Sequence, residues 1–143
     1  MVGVADKPET ARRATARARV HMAAETLVRV MDGKVGKGDV LAVARLAAIG
    51  ATKATAAAIP LCHPIRIVGV DVEIETLADA CTLELRVTVS AIDRTGPEME
   101  ALHGATIGAL TVYDMCKSMD RAMTIVEVAL IEKSGGKSGH FVR

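Results

Sequence analysis

Two runs of alternating apolar and polar residues constrain the fold of this chain more than any other feature. The first covers residues 68–75 and the second covers residues 83–90, and both place Val, Ile or Leu at nearly every second position. This period of two is typical of a strand that buries one face. Only a short link around Asp79 separates the runs, so they are predicted to form an antiparallel hairpin. The fold therefore needs an antiparallel sheet and a layer that covers one of its faces.

The residues before this hairpin predict one more strand and two helices. Alternation over residues 16–22 indicates a strand, and residues 23–31 resemble a short helix. An alanine-rich helix is predicted over residues 40–58, with Asp39 as its N-cap and Pro60 just beyond its end.

The residues after the hairpin contain the strongest helix pattern, which begins near Pro97 in the sequence RTGPEMEALHGATIGALTVYDMCKSM. Thr95 and Glu98 have the spacing of a capping box, with Pro97 in the first turn. A last strand is predicted over residues 123–131. The Gly-, Ser- and Lys-rich residues from about 133 to 143 are expected to form a mobile tail.

The order of these elements is β-α-α-β-β-α-β. With one helix set aside, this is the split βαβ pattern of ferredoxin-like folds. We therefore expect an α+β fold, with one antiparallel sheet and helices packed on one face. Residues 1–143 are expected to form a single domain, because this length fits one domain and the sequence indicates neither an internal repeat nor a second domain.

Composition favours an assembly of several copies. The chain has 143 residues and half of them are hydrophobic, but it has one Tyr, one Phe and no Trp. A core of small side chains is thin for an isolated domain, so further apolar surface is expected to be buried between subunits. The formal net charge of +1 argues against a nucleic-acid binder. The basic residues near the start are interpreted as an exposed strand face: Arg12, Arg13, Arg17 and Arg19.

The cysteines indicate the compartment. Cys62, Cys81 and Cys116 are odd in number and form no CxxC motif, which fits free thiols in a reducing environment. The first residues lack the apolar run of a signal peptide, and charges or turns interrupt the apolar stretches elsewhere. A cytoplasmic protein without a membrane span is expected.

The adjacent Cys62 and His63 leave three interpretations open: a thiol–imidazole nucleophile, half of a metal site, or a stiff loop that aims one side chain at a ligand. Neighbouring side chains in extended backbone point in opposite directions, which disfavours the first. The other histidines lie in separate elements without ligand spacing, which disfavours the second. Pro60 and Pro64 restrict the backbone and favour the third.

The long helix carries further charged candidates. Glu98 and Glu100 can serve as capping or solvated residues, and Asp114 and Lys117 can form an ordinary surface ion pair at i, i+3. Glu100 and Asp114 lie on nearly the same face but about 21 Å apart along the axis. One small substrate cannot touch both on one helix. If both act, two subunits must supply them, or they serve different ends of a long ligand.

Several separated motifs closely resemble the molybdenum cofactor biosynthesis protein C family, the cyclic pyranopterin monophosphate synthases. They are KGDVLAVARLA at 37–47, IPLCHPI at 59–65, RTGPEMEAL at 94–102, LTVYDMCKSMDRAM at 110–123 and EKSGGKSG at 132–139. The resemblance implies a ferredoxin-like fold and a homohexamer, a trimer of dimers with active sites between subunits. It also implies a lyase that converts 3′,8-cyclo-7,8-dihydroguanosine 5′-triphosphate to cyclic pyranopterin monophosphate and pyrophosphate.

The resemblance also implies roles for residues at matching positions. Asp114 and Lys117 match the catalytic residues of the family, and Lys117 is expected to exchange protons near neutral pH because nearby cations lower its pKa. The family's substrate-binding positions are matched by Leu61, Cys62, His63, Glu98, Met99, Glu100, Lys37, Lys53 and Lys133. With Lys137, the lysines of this set supply cations for the triphosphate. No metal or other cofactor is expected, although Mg²⁺ can accompany the triphosphate.

Three positions depart from the family pattern, and one rival interpretation remains. Gly3 stands where the family usually has Asp, Ala54 replaces a frequent arginine, and Pro97 replaces a frequent valine. The first two put a carboxylate and one phosphate contact in doubt. The rival is a ferredoxin-like ligand-binding module, which explains the fold and the assembly without requiring catalysis.

Overall fold

A computed structural model describes residues 1–137 and 139–143, and Ser138, within the predicted tail, lies outside the described residues. Five strands and three helices follow one another along the chain. They are β1 (Thr10–His21), α1 (Ala24–Met31), α2 (Val40–Ala58), β2 (Ile67–Leu77), β3 (Thr82–Asp93), α3 (Glu98–Cys116), β4 (Thr124–Ser134) and β5 (Phe141–Val142). A single turn of 3₁₀ helix, Ala78–Ala80, links β2 to β3.

The strands form one antiparallel sheet in the order β2-β3-β1-β4-β5. The connection from β1 to β2 through α1 and α2 leaves β3 between these two strands. The connection from β3 to β4 through α3 likewise leaves β1 between them. Each crossover therefore skips one strand, which is the split βαβ arrangement. The predicted α+β fold and the predicted hairpin are confirmed.

The C-terminal end of the sheet differs from the prediction. β4 continues to Ser134, and Phe141 pairs with Lys133 as part of a fifth strand. The backbone N–H of Arg143 also donates to the carbonyl of Ile131 at 2.8 Å. The prediction of a mobile tail from residue 133 is therefore wrong for the residues that lie in β4 and β5. The sequence does not reveal β5, because a strand of two residues is too short to show alternation.

The two predicted helix caps have opposite outcomes. The Asp39 carboxylate accepts a hydrogen bond from the Ala42 N–H at 2.9 Å, which confirms the N-cap of α2. The capping box of α3 does not form, because the N-cap is Pro97 and no side chain caps this end. The Glu98 carboxylate lies over Gly96 instead and accepts a hydrogen bond from Lys133 Nζ at 2.9 Å.

Small residues bring the helices close to the sheet. The inward face of β1 is Ala14, Ala16 and Ala18, all fully buried. On α3, a Cβ added at Gly104 would lie 2.8 Å from Thr52 Cγ2, and one at Gly108 would lie 2.9 Å from Leu85 Cδ2. These separations are shorter than van der Waals contact, so α3 approaches α2 and β3 closely only because both positions lack a side chain.

α2 is long and apolar enough to cross a membrane by length and composition, with a mean hydropathy of 1.4. In this structure its buried residues Ala44 and Ala48 belong to the core and pack near α3. One third of this apolar window is buried in the structure.

The sheet face opposite the helices carries a network of ion pairs. Glu84 is only 2% exposed and accepts hydrogen bonds from Arg19 Nε at 2.6 Å and from Arg86 Nε at 2.7 Å. Glu127 accepts from Arg17 Nη2 at 2.6 Å and from Arg19 Nη1 at 3.0 Å. Arg17 and Arg19 thus lie on a strand face, as predicted, but their charges are neutralised.

Glu84→Gln is expected to lower the free energy of unfolding by about 1–2 kcal/mol at neutral pH, because charge-assisted bonds to partly exposed arginines are lost. Burial raises the pKa of the Glu84 carboxyl, but the hydrogen bonds from Arg19 and Arg86 outweigh burial and hold it below the ordinary value. The carboxylate therefore stabilises the fold above the pKa of unfolded glutamate, and this contribution disappears as the pH falls through the lower folded pKa.

Urea unfolding of wild type and Glu84→Gln at neutral and acidic pH measures both effects. The control is Glu25→Gln, which removes an exposed i, i+4 pair with Arg29 and is expected to change stability by only about 0.5 kcal/mol. Equal losses for the two variants at neutral pH would contradict the special role of Glu84.

Candidate active site

An acid–base cluster lies at the C-terminal end of α3. Asp114 Oδ1 is 2.6 Å from Lys117 Nζ, and Asp114 Oδ2 is 2.8 Å from Lys37 Nζ. Lys37 also donates to the backbone carbonyl of Asp114 at 2.9 Å. The loop before α2 and the last turn of α3 thus bring together three predicted site residues from distant parts of the sequence. All three side chains are about half exposed, so a ligand can reach them.

Asp114 and Lys117 of this acid–base cluster stabilise each other's charged forms. Hydrogen bonds from Lys117 and then from Lys37 lower the pKa of Asp114 to about 2. The hydrogen bond and charge of Asp114 raise the pKa of Lys117 above its ordinary value. The predicted lowering of the Lys117 pKa is therefore wrong for this chain, because the nearest charge is a carboxylate rather than another cation. A protonated Lys117 can act as a general acid or as a fixed cation.

A second group of predicted residues lines a cavity of about 290 Å³ at the opposite, N-terminal end of α3. We call it the thiol–carboxyl pocket; its lining includes Leu61, Cys62, His63, Met99 and Glu100. The loop between α2 and β2 supplies the first three, and the first turn of α3 supplies the other two. The sequence-predicted contact segments therefore share one pocket.

Within this pocket, Cys62 Sγ lies 3.9 Å from Glu100 Oε1, and Glu100 is only 2% exposed. Burial raises the pKa of the Glu100 carboxyl. Burial, and then the nearby Glu100, raise the pKa of the Cys62 thiol. A raised thiol pKa lowers the population of the nucleophilic thiolate. The pocket therefore favours a thiol that packs and donates over a covalent nucleophile.

His63 has a partner of its own. Its Nε2 donates to the backbone carbonyl of Val2 at 2.7 Å, whereas Cys62 faces Glu100 and the His63 carbonyl. The expected divergence of the two side chains is confirmed. The contact with Val2 gives the N-terminal segment a place at the pocket, and no periodicity or motif in the sequence indicates it.

The remaining predicted lysines lie apart from these two groups. Lys133 on β4 forms an ion pair at 2.9 Å with Glu98, the first residue of α3. Lys53 is exposed on α2, and no hydrogen bond or ion pair within residues 1–137 and 139–143 connects it to either group. Across the same ranges, no three or more His, Cys, Asp or Glu side chains are arranged to hold a metal ion.

The two groups of residues sit at opposite ends of one helix. Fourteen residues separate Glu100 from Asp114, which corresponds to about 21 Å along α3. A single copy of the chain therefore holds these two groups far apart. One is a charged acid–base cluster and the other is a largely apolar pocket with a buried carboxyl.

An α+β fold that combines a Lys–Asp–Lys cluster with a buried carboxyl offers groups that can exchange protons and bind anions. The MoaC family profile matches residues 1–136. The chain therefore belongs to the MoaC family.

Relatives from several bacteria support this membership, and each is named cyclic pyranopterin monophosphate synthase. The Desulfitobacterium hafniense protein is 50% identical over 143 residues, which cover 100% of this chain and 87% of that protein. The Thermomicrobium roseum protein is 53% identical, with 100% of this chain and 86% of that protein covered. The Listeria monocytogenes protein is 53% identical, with 99% of this chain and 88% of that protein covered.

Proposed function

We propose that this chain converts 3′,8-cyclo-7,8-dihydroguanosine 5′-triphosphate to cyclic pyranopterin monophosphate with release of pyrophosphate. This is a step in molybdenum cofactor biosynthesis. The observation that carries the proposal is the contact of Lys37 and Lys117 with Asp114, three residues at family active-site positions. The names of the relatives supply the product class.

The geometry suggests a division of roles for this reaction. Lys117 is protonated and donates a proton to the substrate, which leaves a neutral amine, while Asp114 orients Lys117 and stays ionised. Lys37 shares Asp114 and adds positive charge beside the anionic substrate. Glu100 supplies a buried carboxyl with a raised pKa, which can exchange a proton within the thiol–carboxyl pocket. His63 orients the substrate once it exchanges the Val2 carbonyl for a substrate oxygen.

The catalytic unit in this proposal is a pair of subunits. Partly exposed residues of α3 form a stripe that runs from the thiol–carboxyl pocket to the acid–base cluster: Met99, His103, Ile107, Leu110 and Asp114. Met99 is 39% exposed and Leu110 is 51% exposed, so the stripe offers apolar surface for a second copy. We call it the α3 stripe.

A two-fold axis through the middle of the α3 stripe completes the site. Ile107 lies seven residues from Glu100 and seven from Asp114. If two copies of α3 pack antiparallel about Ile107, Glu100 of one copy comes level with Asp114 of the other. Each dimer then has two complete sites. Three such dimers form the homohexamer, a trimer of dimers.

The proposal requires no resident cofactor. The cations of the site are lysines, and Mg²⁺ enters as a counter-ion of the triphosphate. The enzyme acts in the cytoplasm, consistent with three free cysteines.

Incubation of the purified oligomer with the cyclised nucleotide tests the proposed reaction. We expect one pyrophosphate per pyranopterin formed, measured by a coupled phosphate assay and by mass spectrometry of the product. A ligand-binding module of the same fold would instead bind the nucleotide and return it unchanged. Binding without pyrophosphate release would therefore reject the enzymatic proposal.

A further inference from the structure

Asp120 places a buried carboxylate three residues after Lys117, in the segment that joins α3 to β4. We call residues 117–123 the α3–β4 turn. Asp120 is only 9% exposed, and within residues 1–137 and 139–143 no basic side chain forms an ion pair with it. Its partners are N–H and O–H groups. A buried carboxylate without a cation depends on such hydrogen bonds, so its partners show which segments it joins.

The Asp120 carboxylate joins the α3–β4 turn to the start of α1. Its Oδ2 accepts hydrogen bonds from the Ala23 backbone N–H at 2.8 Å and from the Thr26 hydroxyl at 3.3 Å. Its Oδ1 accepts from the Ala122 N–H at 3.1 Å within the turn. Ala23 is the N-cap of α1 and has no side chain that can cap a helix. Asp120 therefore satisfies donors at this helix end from a distant part of the chain, where a negative charge is also favourable.

The other end of α1 leads to Lys37. The backbone N–H of Lys34 donates to the Arg29 carbonyl at 2.9 Å, so the loop after α1 folds back on the last turn of the helix. Val35 in the same loop is buried in the hydrophobic core. The position of α1 therefore determines where this loop presents Lys37.

The α3–β4 turn, in the same way, determines the position of Lys117. The N–H groups of Met119 and Asp120 both donate to the Cys116 carbonyl, at 2.9 and 3.1 Å. Lys117 thus lies between a fully buried Cys116 and the anchored Asp120. Burial raises the pKa of the Cys116 thiol, the charge of Asp120 raises it further, and the charge of Lys37 lowers it. The end of α3 is therefore close both to Asp120 and to Lys37.

We infer that Asp120 is a positioning residue, which holds α1 against the α3–β4 turn and so aligns Lys37 and Lys117 on Asp114. The two lysines contact different oxygens of the Asp114 carboxylate, at 2.8 and 2.6 Å. A shift of either segment therefore changes the geometry of the acid–base cluster. Asp120 acts through the lysines and is not itself a catalytic residue. The inference rests on the proposed function for the catalytic role of Lys117.

Asp120→Ala is expected to lower kcat for the cyclised nucleotide at least about tenfold, because small displacements of catalytic groups are costly. KM is expected to change less than about threefold, since the lysine charges that attract the anionic substrate remain. Asp120→Asn keeps an oxygen that can accept from the Ala23 N–H, so it should retain more of kcat than Asp120→Ala. Steady-state kinetics of the intact oligomer measure both parameters.

The reactivity of Lys117 toward acetic anhydride provides a readout that needs no turnover. Only the neutral amine reacts, and the hydrogen bond and charge of Asp114 raise the pKa of Lys117 and keep the intact site slow. At constant pH, Asp120→Ala is expected to raise this reactivity at least about twofold, because a misaligned Asp114 stabilises the ammonium form less. Mass spectrometry of peptides measures acetylation of Lys117 relative to the exposed Lys53 in the same sample.

Glu84→Gln is the matched control, since it removes another buried carboxylate, on the sheet face opposite the helices. It is expected to leave both kcat and the reactivity of Lys117 unchanged. Thr26→Val removes only the hydroxyl contact with Asp120 and should change both quantities in the same direction as Asp120→Ala, but less. If Asp120→Ala does not assemble, Asp120→Asn and Thr26→Val decide by the same two measurements.

Two outcomes would overturn the inference: unchanged reactivity of Lys117 in every assembled Asp120 and Thr26 variant, or an equal change in Glu84→Gln. The acetylation result separates this inference from the proposed function. Raised Lys117 reactivity in Asp120→Ala, with a wild type that does not turn over the cyclised nucleotide, rejects the proposed reaction and retains the positioning role. Wild-type turnover with unchanged Lys117 reactivity in the variants rejects the positioning role alone.

Discussion

Lys117→Ala is expected to lower turnover of the cyclised nucleotide by about 10²–10⁴-fold, the usual contribution of a general acid. The cluster geometry explains the size of the effect. Asp114 is 2.6 Å from the Lys117 ammonium group and keeps it protonated, so the variant loses both a proton donor and a fixed cation. A stopped assay for pyranopterin formation measures the loss, and size-exclusion chromatography checks that the oligomer is intact.

Two further variants separate the possible roles of Lys117. Lys117→Arg keeps the positive charge but does not release a proton near neutral pH. If Lys117 transfers a proton, Lys117→Arg should retain KM while kcat stays low. The matched control is Lys34→Ala, which removes another exposed lysine in a 2.8 Å pair with an aspartate, Asp32. Normal turnover by Lys117→Ala would sink the assignment, and a loss in Lys34→Ala would show that removal of a surface lysine is harmful in itself.

Local sequence patterns predict most of the fold, because a strand or helix that buries one face shows the matching period of apolar residues. Alternation identifies the hairpin of β2 and β3, and the Asp39 cap marks the start of α2. The errors occur where tertiary contacts override local chemistry. Glu98 has capping-box spacing, but it turns to Lys133 on β4, a partner that sequence spacing cannot reveal. Phe141 extends the sheet because β4 offers an unpaired edge, which is also a tertiary property.

The candidate site is predictable in its members but not in its geometry. The family resemblance identifies Lys37 and Asp114 as site residues. Only the fold shows that these two residues, which are 77 positions apart in the sequence, form a 2.8 Å contact. The contact of Lys117 with the same Asp114 explains why the pKa of Lys117 rises rather than falls. The arginines near the start of the chain show the converse. The sequence groups Arg12 with Arg17 on one exposed strand face, but in the fold the two lie on opposite faces of β1, and Arg17 is neutralised by Glu127.

A mixture of two inactive variants is expected to regain activity if subunits share the site. Asp114→Asn removes the carboxylate of the acid–base cluster, and Glu100→Gln removes the buried carboxyl about 21 Å away along α3. Each variant alone should lose most of its turnover. In a mixed dimer, one site receives both substitutions and the other receives neither. Random exchange of subunits should therefore restore about one quarter of the wild-type sites.

The mixture is prepared by unfolding and refolding the two variants together, or by co-expression with different tags and purification through both. Each variant carried alone through the same treatment is the control for refolding. A site confined to one subunit predicts no recovery, because every chain in the mixture carries one defect. Recovery should also disappear when Ile107→Lys is added to both variants, because two lysines at the two-fold axis would repel each other across the α3 stripe. Recovery that survives Ile107→Lys would show that subunits share the site through a different surface.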